Sequence, residues 1–422
     1  MIATSYRSLA GNRHEWNPDV KSSPPEQNRP QSGPGALEPT PGPQALTPGA
    51  GPLAGLRVVE LGQVFAGPFA GAIFADLGAE VIKIERPDGG DDARRMGQAF
   101  RHGDSMNFQV FNRGKRSVTI DLKSAAGIEA LHRLVADADV LLHNLRPGVP
   151  EDLGIDGATM CARHPRLVYG ELSAFGHVGP LRLAPGYEPL MQAYSGLSSI
   201  NGGPDDPPMR MGASVCDQGS GMWIVIGALS LLQRRQRTGR GGIVQGSLLE
   251  TALSWEAQKL DAYVNEGALP ERHASGHPGF VPYEAFDASD KPLLICVGND
   301  RLFAKFAEVL GRPDWIADAR YRGNRDRLAN KAALLAQIRA ILKTRTRDAW
   351  LGALGEAGVP SSAIHTIPEV LQQPQIDALG LLQSVPDDGF RLTGLPLSFD
   401  GERPAIRGAA PRLGEHNGLY VR

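Results

Sequence analysis

Cysteine is scarce in this chain. Only Cys161, Cys216 and Cys296 occur in 422 residues, too far apart for a disulfide framework or a CxxC metal knuckle. A reducing, cytoplasmic setting is the expectation. An excess of charge of one sign is also lacking. The 44 basic and 46 acidic residues leave a net charge of −2, which argues against nucleic acid as a partner held by bulk charge and leaves room for a local anion site. Long apolar runs are missing too. The longest, Met222 to Leu232, falls short of the ~20 residues of a membrane span, so it reads as a buried helix and no membrane partner is expected. The ten histidines show no ligand spacing, and no metal is expected. No Ser or Cys lies in an elbow motif. The N-terminus lacks the apolar stretch of a secretory signal. Arg7 and Arg13, offset by Glu15 and Asp19, leave a mitochondrial presequence as a minor alternative.

Proline and glycine, by contrast, crowd the first fifty residues. Residues 1–52 have no hydrophobic period between Pro24 and Pro52 and read as a disordered extension. Folded text begins at Leu53. Leu56–Leu61 is a strand, Phe69–Glu80 a helix and Val81–Glu85 a second strand, a β-α-β unit with a parallel sheet. Strands at Ser117–Leu122, Asp139–Asn144 and Arg166–Leu172 continue the alternation, with an amphipathic helix at Ala125–Ala138. The fold class is therefore α/β, a Rossmann-like doubly wound sheet over residues 53–245. Residues 246–270 read as one long linker helix. Residues 271–381 read as a smaller α+β domain that opens with a hairpin around Asp290, and residues 382–422 return to the first domain.

Candidate chemistry lies in loops. Gly62, Gly67 and Gly71 suit either a tight strand-to-helix turn or backbone approach to an anion at a helix N-terminus. Arg86 and Arg146 fall at strand C-terminal ends, where ligands of parallel sheets bind. With Arg94, Arg95, Arg113, Lys115, Arg116 and Lys123 they form a group basic enough for several phosphates, or simply a solvated face. Gly202 and Gly203 precede Asp205 and Asp206. A carboxylate on such a loop is either a surface turn or a nucleophile toward an activated acyl group. Asp217, before the apolar helix, is an N-cap or a proton-transfer acid.

The ordered set LRVVELGQVFAGPFAG, VIKIERPDGG, NRGKRSVTIDLKSAAG, ADVLLHNLRPG, RLVYGELSAFGHVGP, GYEPLMQAYSGL and RRQRTGRGGIVQGSLLE resembles the class III CoA-transferase family, with α-methylacyl-CoA racemase as a sister branch. The likeness runs from about Leu53 to His416. It implies coenzyme A, as acyl-CoA, and a carboxylic acid as substrates, with succinyl-CoA the default donor. It implies Asp205 as the nucleophile that forms an aspartyl-CoA thioester. It places CoA at Phe65, Ala66, Arg86, Ile120, Asp121, Leu122, Lys123, Asn144, Leu145, Arg146, Leu172, Ser173, Ala174 and Phe175. It implies a glycine-rich loop at Gly276, His277 and Gly279, a second acid at Asp217, and an interlocked homodimer. The sequence departs from the formyl-CoA transferases at Phe65, Ser173 and Asp152, which weakens any assignment to formyl-CoA and oxalate. Tyr187 stands where the racemases carry histidine. A group with a pKa near 10 is a poor α-proton base, so the transferase reading leads and the racemase is the alternative.

Overall fold

The central strands carry apolar residues on both faces, which suits strands sandwiched between helices. The computed structural model describes residues 51–386 and 388–421. The extension expected over residues 1–52 thus lies outside the described residues, apart from Gly51 and Pro52. Six parallel strands form the main sheet: β1 (Arg57–Leu61), β2 (Glu80–Glu85), β3 (Arg116–Thr119), β4 (Val140–His143), β5 (Val168–Ser173) and β6 (Gly242–Ser247). Their order is β3-β2-β1-β4-β5-β6, the order of a doubly wound sheet with its switch point between β1 and β4. The register Val58↔Val81 and Val58↔Val140 runs through that point.

Period two divides the apolar side chains into two cores. Val58, Val81, Leu142 and Val168 face α1 (Ala66–Asp76) and the long α5 (Val215–Thr238). Val59, Ile82, Leu141 and Tyr169 face α2 (Ala125–Ala136) and α3 (Gly157–Arg163). The Ser124 hydroxyl caps α2 by accepting from the Gly127 N–H at 3.0 Å. α4 (Glu188–Ser195) precedes α5. Gly221 of α5 lies so close to α1 that a Cβ there would come within 2.9 Å of the Ala66 carbonyl oxygen.

Three sequence expectations change here. β6 pairs with β5 along its whole length, Val168↔Gly242 to Ser173↔Ser247, although Gly242–Ser247 carried no strand signal. The linker helix is two helices, α6 (Leu248–Trp255) and α7 (Ala257–Glu266), broken at Glu256, whose φ is −103° and ψ 12°. The apolar run 222–232 is the middle of a 24-residue helix, and it is only partly buried: Met222, Trp223 and Ile226 are exposed. By length and composition α5 could cross a membrane, and half of its apolar window is buried in this fold.

A separate core fills residues 281–359. The hairpin β7 (Tyr283–Asp287) and β8 (Pro292–Cys296) is joined on the far side of β8 by β9 (Ser361–Ala363). Asp290 in the hairpin turn accepts the Arg347 N–H at 2.7 Å. Phe303, Trp315, Leu334 and Trp350 pack together beneath it. The remaining chain forms β10 (Leu382–Ser384) and β11 (Arg391–Thr393) and runs back to the main sheet. Leu395 enters the core beside Val58, and the His416 N–H donates to the Ser117 carbonyl at 2.9 Å.

Candidate active site

A parallel sheet carries every strand's C-terminal end on one edge. Phe65 and Ala66 after β1, Arg86 after β2, Ile120 to Lys123 after β3, Asn144 to Arg146 after β4 and Leu172 to Phe175 at the end of β5 therefore share that edge. Across the switch point the Asn144 side chain grips the first turn from both sides. It accepts the Gln63 N–H at 2.7 Å and donates to the Gln63 carbonyl at 2.9 Å. Val64 holds φ +64°, costly for a β-branched residue, and its N–H donates to Asp91 at 3.0 Å. Both of these backbone donors are thus already used, so an anion at this turn would meet side chains rather than the Gln63 and Val64 amides. Phe65 ends the turn with its ring 5.2 Å from that of Phe111. Leu145 is positioned by His143. The single hydroxyl proton of Tyr169 goes to the Ile155 carbonyl at 2.9 Å, so His143 Nε2 donates to Tyr169 at 2.7 Å and Nδ1 accepts the Leu145 N–H at 3.3 Å. Burial, aided by His177, drives the His143 pKa down to about 3 and keeps the ring neutral.

Beneath the turn lies a buried ionic cluster. Lys83 is 3.1 Å from Glu60 and 2.9 Å from Asp91, and donates to the Gly62 carbonyl at 2.7 Å. Lys115 is 2.7 Å from the other oxygen of Glu60 and donates to the Pro68 carbonyl at 2.8 Å. Burial lowers the Lys83 pKa, but Asp91, Glu60 and Glu85 outweigh it and hold the ammonium charged. Lys115 shares its partner, and burial pulls it down to about 8. A Cβ on Gly71 would lie 1.8 Å from a Glu60 oxygen, so only glycine lets α1 cross here. Arg94 forks onto Glu85 at 2.7 and 2.8 Å, and Arg113 binds Asp76.

The basic group read from the sequence therefore separates. Arg94, Arg113 and Lys115 are buried in internal pairs. Arg116 opens β3 and so lies at the opposite edge, bonded to His416 at 3.1 Å. That edge holds a cavity of about 840 Å³, away from the strand C-termini, with Arg57 paired to Glu80 in its wall. Arg86, Lys123 and Arg146 remain exposed at the ligand edge, Arg86 in contact with Asp92. Asp121 is exposed beside Lys123, Ile120 and Leu172 are buried, and the Ser173 hydroxyl accepts the Gly176 N–H at 3.1 Å. Ala174 accepts the Leu249 N–H at 3.0 Å, and Phe175 meets Tyr194 edge-on.

Asp205 sits at an exposed turn between α4 and α5, and its carboxylate has no hydrogen-bond partner among the described residues. Its neighbour Asp206 is occupied, accepting the Gly203 N–H at 2.7 Å. Arg272 donates to the Pro204 carbonyl at 3.1 Å and also to that of Asp206, and the Ala274 N–H donates to the Gly202 carbonyl at 2.9 Å. These bonds bring the Gly276, His277 and Gly279 loop beside the turn. His277 packs on Phe280 and Tyr283, and its Nδ1 accepts the Gly279 N–H at 2.9 Å.

The C-terminal side of the Asp205 loop is clamped by α4. Glu188 accepts the N–H groups of Cys216 at 3.1 Å and Asp217 at 2.6 Å, and Gln192 accepts the Met211 N–H at 2.7 Å. Glu188 is thus the acid that caps α5. Asp217 is not the N-cap expected from the sequence but lies in the first turn, after Ser214. Burial and the nearby Glu188 push its carboxyl up to about 7.

CoA-transferase family III matches residues 53–417 of this chain. The chain belongs to that family. The acetyl-CoA:oxalate CoA-transferase of Acetobacter aceti is 37% identical over 86% of this chain and 92% of its own length. The succinate–glutarate CoA-transferase of Agrobacterium fabrum is 35% identical over 86% and 93%. A solved CAIB/BAIF family protein of Brucella suis superposes with a TM-score of 0.81 at 35% identity, covering 87% of this chain and 98% of that one. This class III CoA-transferase moves CoA from an acyl-CoA to a carboxylate.

Several of the transferase's positioning residues were not read from its sequence: Glu60, Lys83, Asp91, His143, Glu188 and Gln192. A signal existed for the first two. A charge inside a β-branched run, as in RVVEL and EVIKIE, sits in a buried strand and must be paired there. Nothing local marks Glu188 or Gln192, because their partners lie 28, 29 and 19 residues away.

Proposed function

We propose that Asp205 is the nucleophile and that the strand ends hold CoA. The supporting observation is the contrast at the turn: Asp205 is exposed and unpaired, whereas Asp206 is spent on Gly203. In this reading an Asp205 oxygen attacks the thioester carbonyl, the C–S bond breaks, and CoA leaves as thiolate from a mixed anhydride. The thiolate attacks the aspartyl carbonyl and expels the donor carboxylate, leaving an aspartyl-CoA thioester. The acceptor carboxylate then attacks that thioester, and the returning thiolate takes the acceptor acyl group and frees Asp205. Each step exchanges one acyl bond for another, so no ATP and no net proton enter. The loop at Gly276, His277 and Gly279 would exclude water from the anhydride.

Arg86, Lys123 and Arg146 would meet the CoA phosphates, with Phe65, Leu145 and Phe175 offering apolar contact. The relatives named for oxalate, succinate and glutarate support a dicarboxylate, and succinyl-CoA is our proposed donor. Exposed Tyr187, Leu190, Met222, Trp223 and Ile226 on α4 and α5 support a homodimer, interlocked as in the family, that covers them. Three unpaired thiols agree with a reducing, cytoplasmic setting.

Asp217 at about 7 is the one observation favouring a racemase, since such an acid can carry an α-proton. Intact mass after incubation with succinyl-CoA and borohydride trapping separates the two. A CoA or acyl adduct mapped to Asp205 and absent from Asp205→Ala, with transfer activity lost, is expected. No adduct, with deuterium uptake at the acyl α-carbon, would establish the racemase instead.

A further inference from the structure

Glu256 stands at the break between α6 and α7 and is only 5% exposed. Its Oε1 has no hydrogen-bond partner among the described residues. A buried polar atom left unpaired is destabilising, so this carboxyl is open to a hydrogen-bonding partner. It borders a cavity of about 200 Å³ between the C-terminal end of α4 and α7, whose walls include Ser195, Ser199, Ile200, Lys259 and Leu260. Lys259 forms no ion pair among the described residues. A cation here would face the Lys259 ammonium. An anion would be neutralised by it, and a protonated Glu256 would donate its orphan Oε1–H to the same anion. Burial raises the Glu256 pKa against the opposing Ser195 hydroxyl, and two carboxyl groups brought this close share one proton. Ile200 and Leu260 offer apolar wall for a few methylenes. The wall also leads straight into the nucleophile turn: Asn201 to Asp205 follow Ile200, and the Met209 N–H donates to the Ser198 carbonyl at 3.2 Å.

We propose that this cavity binds a small carboxylic acid, its carboxylate paired with Lys259 and hydrogen-bonded by Glu256. The proposal deepens the transferase reading and rests on it for the source of the acid. Equilibrium dialysis of labelled succinate against the full-length protein tests it, in the parent and in Lys259→Met, Glu256→Met and Glu256→Gln. Lys259→Met and Glu256→Met should each weaken one succinate site at least tenfold. Glu256→Gln should retain it, because the amide N–H replaces the acid proton. CoA binding and the melting temperature should stay at the parent's values in all three, which distinguishes a lost site from a lost fold. Unchanged succinate binding in both Met variants overturns the proposal, as does equal loss in Glu256→Gln and Glu256→Met. Kinetics then identify the source. A raised KM for the acceptor acid with kcat held makes the cavity part of the acceptor site, and an unchanged KM makes it a separate effector site. The adduct experiment is independent: an Asp205 adduct with normal succinate binding in Lys259→Met removes the subsite alone, and no adduct with binding lost removes the nucleophile assignment alone.

Discussion

The first β-α turn and the Asp205 turn make up one proposed site, and they are built in opposite ways. The first turn rests on buried charges. Lys83, Glu60, Asp91 and Lys115 interlock beneath it, and Asn144 and Asp91 use its free N–H groups. The Asp205 turn is exposed, and it is held on its C-terminal side by Glu188 and Gln192 and from the side by Arg272 and Ala274. The difference suits the chemistry. In the proposed site CoA, the constant part of every substrate, would be met by a rigid edge, whereas the acids, which differ, would be met by a turn whose backbone is fixed and whose carboxylate is free.

The largest effect on stability comes from breaking the buried cluster. Lys83→Met leaves Asp91 uncompensated and Glu60 with Lys115 alone, and should cost about 3–5 kcal/mol, read from urea unfolding. A change under 1 kcal/mol would mean that the cluster does not carry the turn. Next comes the clamp. Glu188→Gln leaves one of two helix N–H groups without an acceptor, costing about 1–3 kcal/mol locally. Turnover should fall about tenfold where about 1.4 kcal/mol of that reaches the transition state, with KM for acyl-CoA held. A rise in KM without a fall in kcat would place Glu188 on the CoA side of the site.

A further effect is a pH dependence. Asp217 keeps its proton in the folded state up to about pH 7, whereas in the unfolded chain it ionises near 3.8. The folded state therefore binds more protons between those values, and its stability falls as pH rises from about 4 to 7. Asp217→Asn should remove that slope and melt above the parent at pH 8. Identical slopes in both proteins would show that Asp217 ionises freely.

Much of the frame was legible from the chain. The runs at β1 and β2 are β-branched, those at β4 and β5 are short and largely apolar, and the helices between them are amphipathic or rich in small residues, so the parallel α/β order follows from local preference. Gly242–Ser247 was not legible, because two glycines and preceding basic residues look like a linker; only the open edge of β5 makes it a strand. The break at Glu256 was hidden for a related reason. Residues 247–267 have helical composition throughout, and only the fold shows that Glu256 turns inward, nine-tenths buried, while Trp255 stays half exposed.

The candidate site divides along the same line. Asp205 stood out by its glycine-rich, proline-flanked loop and by the ordered motifs around it, all of which are local. The use of the charges was not local. Arg94, Arg113 and Lys115 looked like ligand-binding cations beside Arg86 and Lys123, yet they are consumed by Glu85, Asp76 and Glu60. By itself, the sequence determined where most strands and helices form, which family the chain resembles, and which carboxylate that resemblance singles out. Only the tertiary structure decided which charges are free, which acid caps α5 and which carboxyl is left without a partner. Propensity acts over a few residues, whereas the pairing and desolvation of a charge depend on side chains that long-range folding brings within 3 Å or so of it.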